Sequence, residues 1–181
     1  MRASRRWAIA TGAAAAAVFA LLPVQPPAAA AEPIKIAVFE FELNDASGGS
    51  GIIAQDAADT EHLKKATEDV RRLLLASGRY SIVDAGAAAD VPQRGIQHCN
   101  GCEAGLADKI GADQSMAGVV TRVARIVYTV QVVIRDAKSR ALVSNSFSGG
   151  QLGANDAWPH GVKRLLKNQI LSAHSGATDG K

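Results

Sequence analysis

The 181-residue chain is 48% hydrophobic and 20% charged, with a formal net charge of +3 and two cysteines. Arg2, Arg5 and Arg6 supply the whole excess of 20 Lys+Arg over 17 Asp+Glu, so residues 32–181 are formally neutral. They carry none of the basic surplus that nucleic-acid binding uses, and the pI of about 9.0 belongs to the first few residues.

The three arginines precede an apolar run at 8–22, then prolines and Ala29-Ala30-Ala31. That order predicts a signal peptide over residues 1–31, cut after Ala31 and used for general secretion. The run is Ala-rich and shorter than the ~20 apolar residues of a membrane-spanning helix, and no cysteine stands near the cut for lipid attachment. The expected product is a periplasmic domain over 32–173 with no membrane anchor, followed by a disordered tail at 174–181. A domain of that size buries roughly 68–70% of the surface its unfolded chain exposes, which is enough to fold without a metal or a staple.

Residues 34–43, IKIAVFEFEL, read as one strand that is apolar on both faces. Ile34, Ile36 and Val38 take one face, Ala37, Phe39 and Phe41 the other. At its end Glu40 and Glu42 share a face by the two-residue period, and Asn44 and Asp45 follow, ahead of a Gly/Ser loop at 46–51. Leu63, Ala66, Val70, Leu73 and Leu74 recur at helical steps, predicting a helix over 59–77 with Asp59 or Thr60 as N-cap and Gly78 beyond its end. Residues 79–84 make a short strand, parallel to the first by the usual right-handed crossover. The Ala-rich stretch 85–91 predicts a helical turn, 92–98 a loop, and 102–110 a short helix with Leu106 and Ile110 inward and Gly111 at its end.

Two strands at 114–124 and 126–136 form a hairpin, followed by a third strand at 141–147 and a Gly-rich loop at 148–154. Asp156 is expected to cap a last helix that carries Trp158, Val162, Leu165, Leu166 and Ile170 on one face, with Pro159 in its first turn. The order β-α-β-α-β-β-β-α predicts an α/β fold: a three-layer α/β/α domain with a mixed five-stranded sheet.

Cys99-Asn100-Gly101-Cys102 sits at a helix N-terminus with the spacing of a thiol–disulfide active site, where the helix end lowers the thiol pKa. In an exported chain the same pair also reads as a local structural disulfide. With His98 it offers three soft metal ligands. Glu103 stands where covalent haem attachment has a histidine, which speaks against haem. Glu40, Glu42, Asn44 and Asp45 are hard oxygen donors at the edge where open α/β sheets bind ligands. A cation such as calcium and a plain solvated strand end both fit them, although their spacing is not that of an EF-hand. There is no G-x-S-x-G and no phosphate-binding loop, and His62, His160 and His174 are scattered. No catalytic residue and no cofactor is expected.

The segments IAVFEFELND, SGRYSIVD, CNGCEAGLADKIGAD and VVIRDA resemble a family of exported bacterial proteins known as a domain of unknown function. The resemblance covers nearly all of residues 32–173, and some members look like neighbours of periplasmic alcohol-oxidising systems that use a quinone cofactor. More distantly, the element order and the run from Gly111-Ala112-Asp113 into the long hairpin look like the amino-terminal domain of the translocation protein TolB. That likeness implies a three-layer sheet that meets other proteins, hence a non-enzymatic accessory domain whose partner is a periplasmic or envelope protein. Two alternatives stand beside it. One is a thiol–disulfide or electron-transfer accessory acting through Cys99 and Cys102. The other is a metal-binding accessory of a periplasmic dehydrogenase system, using the acids near Glu42.

Overall fold

A computed structural model describes residues 32–51 and 55–172. The expected signal peptide and the tail at 174–181 lie outside the described residues. The elements are β1 (Ile34–Val38), β2 (Glu42–Asp45), α1 (Ala57–Ala76), β3 (Tyr80–Val83), α2 (Cys102–Lys109), β4 (Gln114–Ala124), β5 (Val127–Asp136), β6 (Leu142–Leu152) and α3 (Trp158–Leu165). Short 3-10 turns stand at Ala85–Ala87, Ile96–His98 and Asn155–Ala157, and a π-helical turn at Leu166–Leu171 extends α3. No helix among the described residues is long and apolar enough to cross a membrane.

The sheet runs β3-β1-β4-β5-β6, with β2 also paired to β4. β3, β1, β2 and β4 are parallel to their neighbours, and β4, β5 and β6 form an antiparallel meander. This is the expected mixed sheet. Ile36, Val38, Val120, Val130, Val132 and Ile134 pack on one face against Leu63, Val70 and Leu74 of α1 and Trp158, Val162 and Leu165 of α3. A smaller cluster on the other face joins Ala37 and Phe39 to Ile96, Leu106, Ala107 and Ala112. Helices therefore cover the sheet from both sides, as the three-layer expectation requires.

The first strand differs from its expected form in one consequential way. Residues 34–43 are not a single strand. Val38 pairs with Met116 and Glu42 with Val119, so four steps on one strand oppose three on the other, the count of a bulge. A one-residue slip turns every following side chain over. Phe39 accordingly stays with Ala37 in the smaller cluster, whereas Phe41 crosses to the larger one. Two distant groups hold the bulge. Thr67 of α1 takes the Phe41 amide through Oγ1 at 2.9 Å, and Gly118 leaves room for the Phe41 ring, which a Cβ there would overlap.

Other boundaries also move. Asp56, not Asp59 or Thr60, caps α1 by accepting from the Asp59 amide at 2.7 Å. Asp59 is itself buried, bound to Arg122 and Asn155. The last strand runs on to Leu152 through Gly149 and Gly150, because the ladder to β5 resumes at Tyr128 and Val127 past an irregularity in register. Asp156 does not cap α3. It lies in a 3-10 turn that continues directly into the helix, and Pro159 removes one of the N–H groups a cap would serve.

Candidate functional site

The bulge sends Glu42 toward the α2 side of the sheet. Its Oε1 accepts from the Ile96 amide at 2.6 Å and its Oε2 from the Gln97 amide at 3.0 Å. In return Gln97 Nε2 donates to the Leu43 carbonyl at 3.2 Å. These contacts pin the 3-10 turn Ile96–His98 to β2, which fixes where the following residues, Cys99 to Cys102, can lie.

Cys99 and Cys102 form a disulfide with Cα atoms 5.4 Å apart. Asn100 and Gly101 between them both have positive φ, 49° and 96°. Gly101 tolerates this because it has no Cβ, and the reversal aims the Cys102 amide at Cys99 Sγ, 3.2 Å away. Cys102 is the first residue of α2. By the loop-entropy relation a ring this short stabilises the fold by only about 2 kcal/mol, so as a staple the pair is weak.

Next in sequence is Glu103, which is buried. Its Oε1 accepts from Arg135 Nε at 3.2 Å and its Oε2 lies 4.0 Å from Cys99 Sγ. Both sulfurs and a Glu103 carboxylate oxygen lie within 4.8 Å of one another. A buried carboxylate is costly unless it is paired, and Arg135 supplies the counter-charge. His98 is exposed and stands outside this set.

The four acidic-end candidates do not converge. Glu40 is exposed within the bulge, Glu42 is tied to the two amides, and Asn44 pairs beside Thr121 on the same face as Glu42. Asp45 turns to the opposite face. There it accepts from the Ser47 amide at 3.0 Å and pairs with Arg122 at 3.1 Å. Hydrogen bonding from Ser47, with Arg122 behind it, holds the Asp45 carboxyl below its usual value.

A family described as Protein of unknown function (DUF2380) matches residues 34–170, which is β1 through the π-helical turn. The chain belongs to this family. No curated protein matches it. Among solved structures, the chain is similar to the LpoB C-terminal domain from Salmonella enterica, at 13% identity and TM-score 0.48 over 68% of this chain and 86% of that one. It is also similar to TolB from Acinetobacter baumannii, at 16% identity and TM-score 0.44 over 75% of this chain and 27% of that one. The chain thus spans about a quarter of TolB. A PelC dodecamer from Paraburkholderia phytofirmans shows 17% identity and TM-score 0.46 over 77% of this chain and 89% of that one. Both resemblances expected from the sequence, to the family and to TolB, are found.

A groove of about 350 Å³ lies beside the disulfide, walled by Gln97, Asn100 and Glu103 and floored by Val119, Thr121 and Val133. Sequence reasoning missed Glu103 and Arg135 as site residues. A signal for Glu103 existed, since it falls on the same helical face as Leu106 and Ile110 and so had to be buried or paired. Nothing local marks Arg135, which reaches it from 32 positions away.

Proposed function

We propose that this chain is an exported accessory domain that binds another protein of the periplasm or envelope through β6 and the sheet face next to it. Export is supported by the arginines, apolar run and Ala29-Ala30-Ala31 of residues 1–31.

The observation that carries the reading is where the exposed apolar side chains fall. Among the described residues, Leu142, Val143, Phe147 and Leu152 of β6 are exposed, with Val123 and Ile126 at the neighbouring hairpin tip. Residues 141–155 contain no charge. Edge strands ordinarily carry lysines, inward charges or prolines that discourage pairing, and an apolar edge without them is a template for a partner strand or face.

Site-specific photo-cross-linking in the producing cells tests this. A cross-linker at Phe147 or Leu152 is expected to give one discrete heavier adduct, identified by mass as a different envelope or periplasmic protein, while one at Glu61 on the exposed side of α1 gives none. Adducts only with a second copy of the chain, or the same adducts from all three positions, would overturn the reading.

A further inference from the structure

We propose that the Cys99–Cys102 disulfide is a thiol–disulfide exchange centre for a protein dithiol or disulfide. Cys99 is the sulfur that meets the partner, and Glu103 receives the proton of Cys102. The inference does not rest on the docking surface of β6.

Three observations on one side of the sheet carry it. The Cys102 amide, at the start of α2, donates to Cys99 Sγ at 3.2 Å. A backbone N–H at a helix N-terminus stabilises a thiolate on the sulfur it faces, and makes that sulfur both an attacking group and a leaving group. Both cysteines are half-buried, but Cys99 and not Cys102 is among the residues lining a surface hollow with Pro92, Arg94, Gly95 and His98, which favours Cys99 as the cysteine an incoming group meets. Glu103 is a buried carboxylate with an oxygen 4.0 Å from Cys99 Sγ and within 4.8 Å of both sulfurs. Both cysteines pack against the smaller apolar cluster, yet beside their sulfurs the fold also holds a buried charge and commits Arg135 of β5 to balance it.

The exchange balances as follows. With the pair reduced, the Cys99 thiolate attacks a partner disulfide, forming a mixed disulfide and releasing one partner thiolate. Cys102 Sγ then attacks Cys99 Sγ, its proton passing to Glu103, and the second partner sulfur leaves as thiolate. The partner gains two electrons and becomes a dithiol as its two thiolates take one proton from Glu103 and one from solvent, and the Cys99–Cys102 disulfide is restored. The reverse sequence oxidises a partner dithiol.

The test uses full-chain protein recovered from an oxidising compartment, with glutathione as the probe and alkylation with mass measurement as the readout. Millimolar reduced glutathione is expected to open the pair. The Cys102→Ser variant is expected to react with glutathione disulfide at least about tenfold faster than Cys99→Ser, as a thiolate facing an amide should. Glu103→Gln is expected to slow closure of the mixed disulfide about a hundredfold, by a larger factor than it changes the first attack by Cys99, whose sulfur also lies near the Glu103 carboxylate, with Glu103→Asp restoring much of the rate. A purely structural role for Glu103 would not separate the two steps. A pair that millimolar glutathione does not open, or two cysteines that react at equal rates, would overturn the proposal. The cysteine comparison decides it even where Glu103→Gln fails to fold.

Discussion

Glu42 accepts the amide of Ile96 at 2.6 Å across 54 positions of chain, and that bond joins the bulge in the first strand to the segment that carries the disulfide. The carboxylate also holds the Gln97 amide, so one side chain satisfies two N–H groups of a turn. Replacing it with alanine removes charge-assisted bonds and leaves both amides without their acceptor, a loss of about 1.5–3 kcal/mol. Glu42→Ala is therefore expected to lower the midpoint of denaturant unfolding. It should also raise amide hydrogen exchange at Ile96 and Gln97 well above that at Val130 in the sheet centre. Unchanged exchange at the two amides would mean the turn is held by something else.

The bulge itself can be probed at Gly118. An added methyl would meet the Phe41 ring, which is itself buried in the larger core cluster. Overpacking of this kind costs about 1–3 kcal/mol. Gly118→Ala should fall in that range by urea unfolding, and a Phe41→Leu change should recover part of it. The coupling between the two positions, measured by a double-mutant cycle, is expected to differ clearly from zero.

These two residues also show why the sequence misleads at this point. The stretch IAVFEFEL is apolar on both faces, so its pattern is equally well satisfied with or without a one-residue slip. What selects the slipped register lies elsewhere, in the missing side chain of Gly118 and the Thr67 hydroxyl that takes the Phe41 amide. Helix α1 was legible for the opposite reason, because Leu63, Ala66, Val70 and Leu74 leave only one face to bury. The parallel pairing of β1 with β3 followed from the crossover rule. The cysteine spacing announced a candidate site, but the charge pair beside it joins residues 103 and 135 and depends on tertiary packing.

Asp45 gives a prediction in pH. Hydrogen bonds from Ser47, and then Arg122, lower its pKa below 3.8 in the folded chain. A depressed carboxylate contributes stability that is present above the unfolded value and is lost as pH falls through the folded one. The stability difference between the parent and Asp45→Asn should accordingly be constant from pH 7 down to about 5. It should shrink as the pH drops below 3.8, and a difference that grew on acidification would contradict the assigned direction. Asp136, lowered chiefly by the Ser139 amide and hydroxyl, acts in the same direction, so Asp136→Asn should show the same course with pH.

The ion pair between Asp59 and Arg122 carries the largest expected effect. Asp59 is 2% exposed and Arg122 13% at the side chain, and Arg122 also stacks its guanidinium over Trp158 at 5.3 Å. Removing one member of a buried pair leaves the other charged without its partner, at a cost of about 3–5 kcal/mol. Asp59→Ala should fall toward the lower end, because Arg122 keeps Asp45 at 3.1 Å, while the Asn155 side chain also loses an acceptor. Joint replacement by Asp59→Leu and Arg122→Met removes both charges and fills the space they leave. It is expected to cost less than Asp59→Ala alone, as apolar replacements of buried pairs often do. If the double variant proved the less stable of the two, the network would be stabilising through its hydrogen bonds to Asp45 and Asn155 rather than through the absence of unpaired charge. Thermal unfolding of the parent, Asp59→Leu, Arg122→Met and the double variant separates these terms, since the coupling energy isolates the Asp59–Arg122 interaction from what each residue does with its other partners.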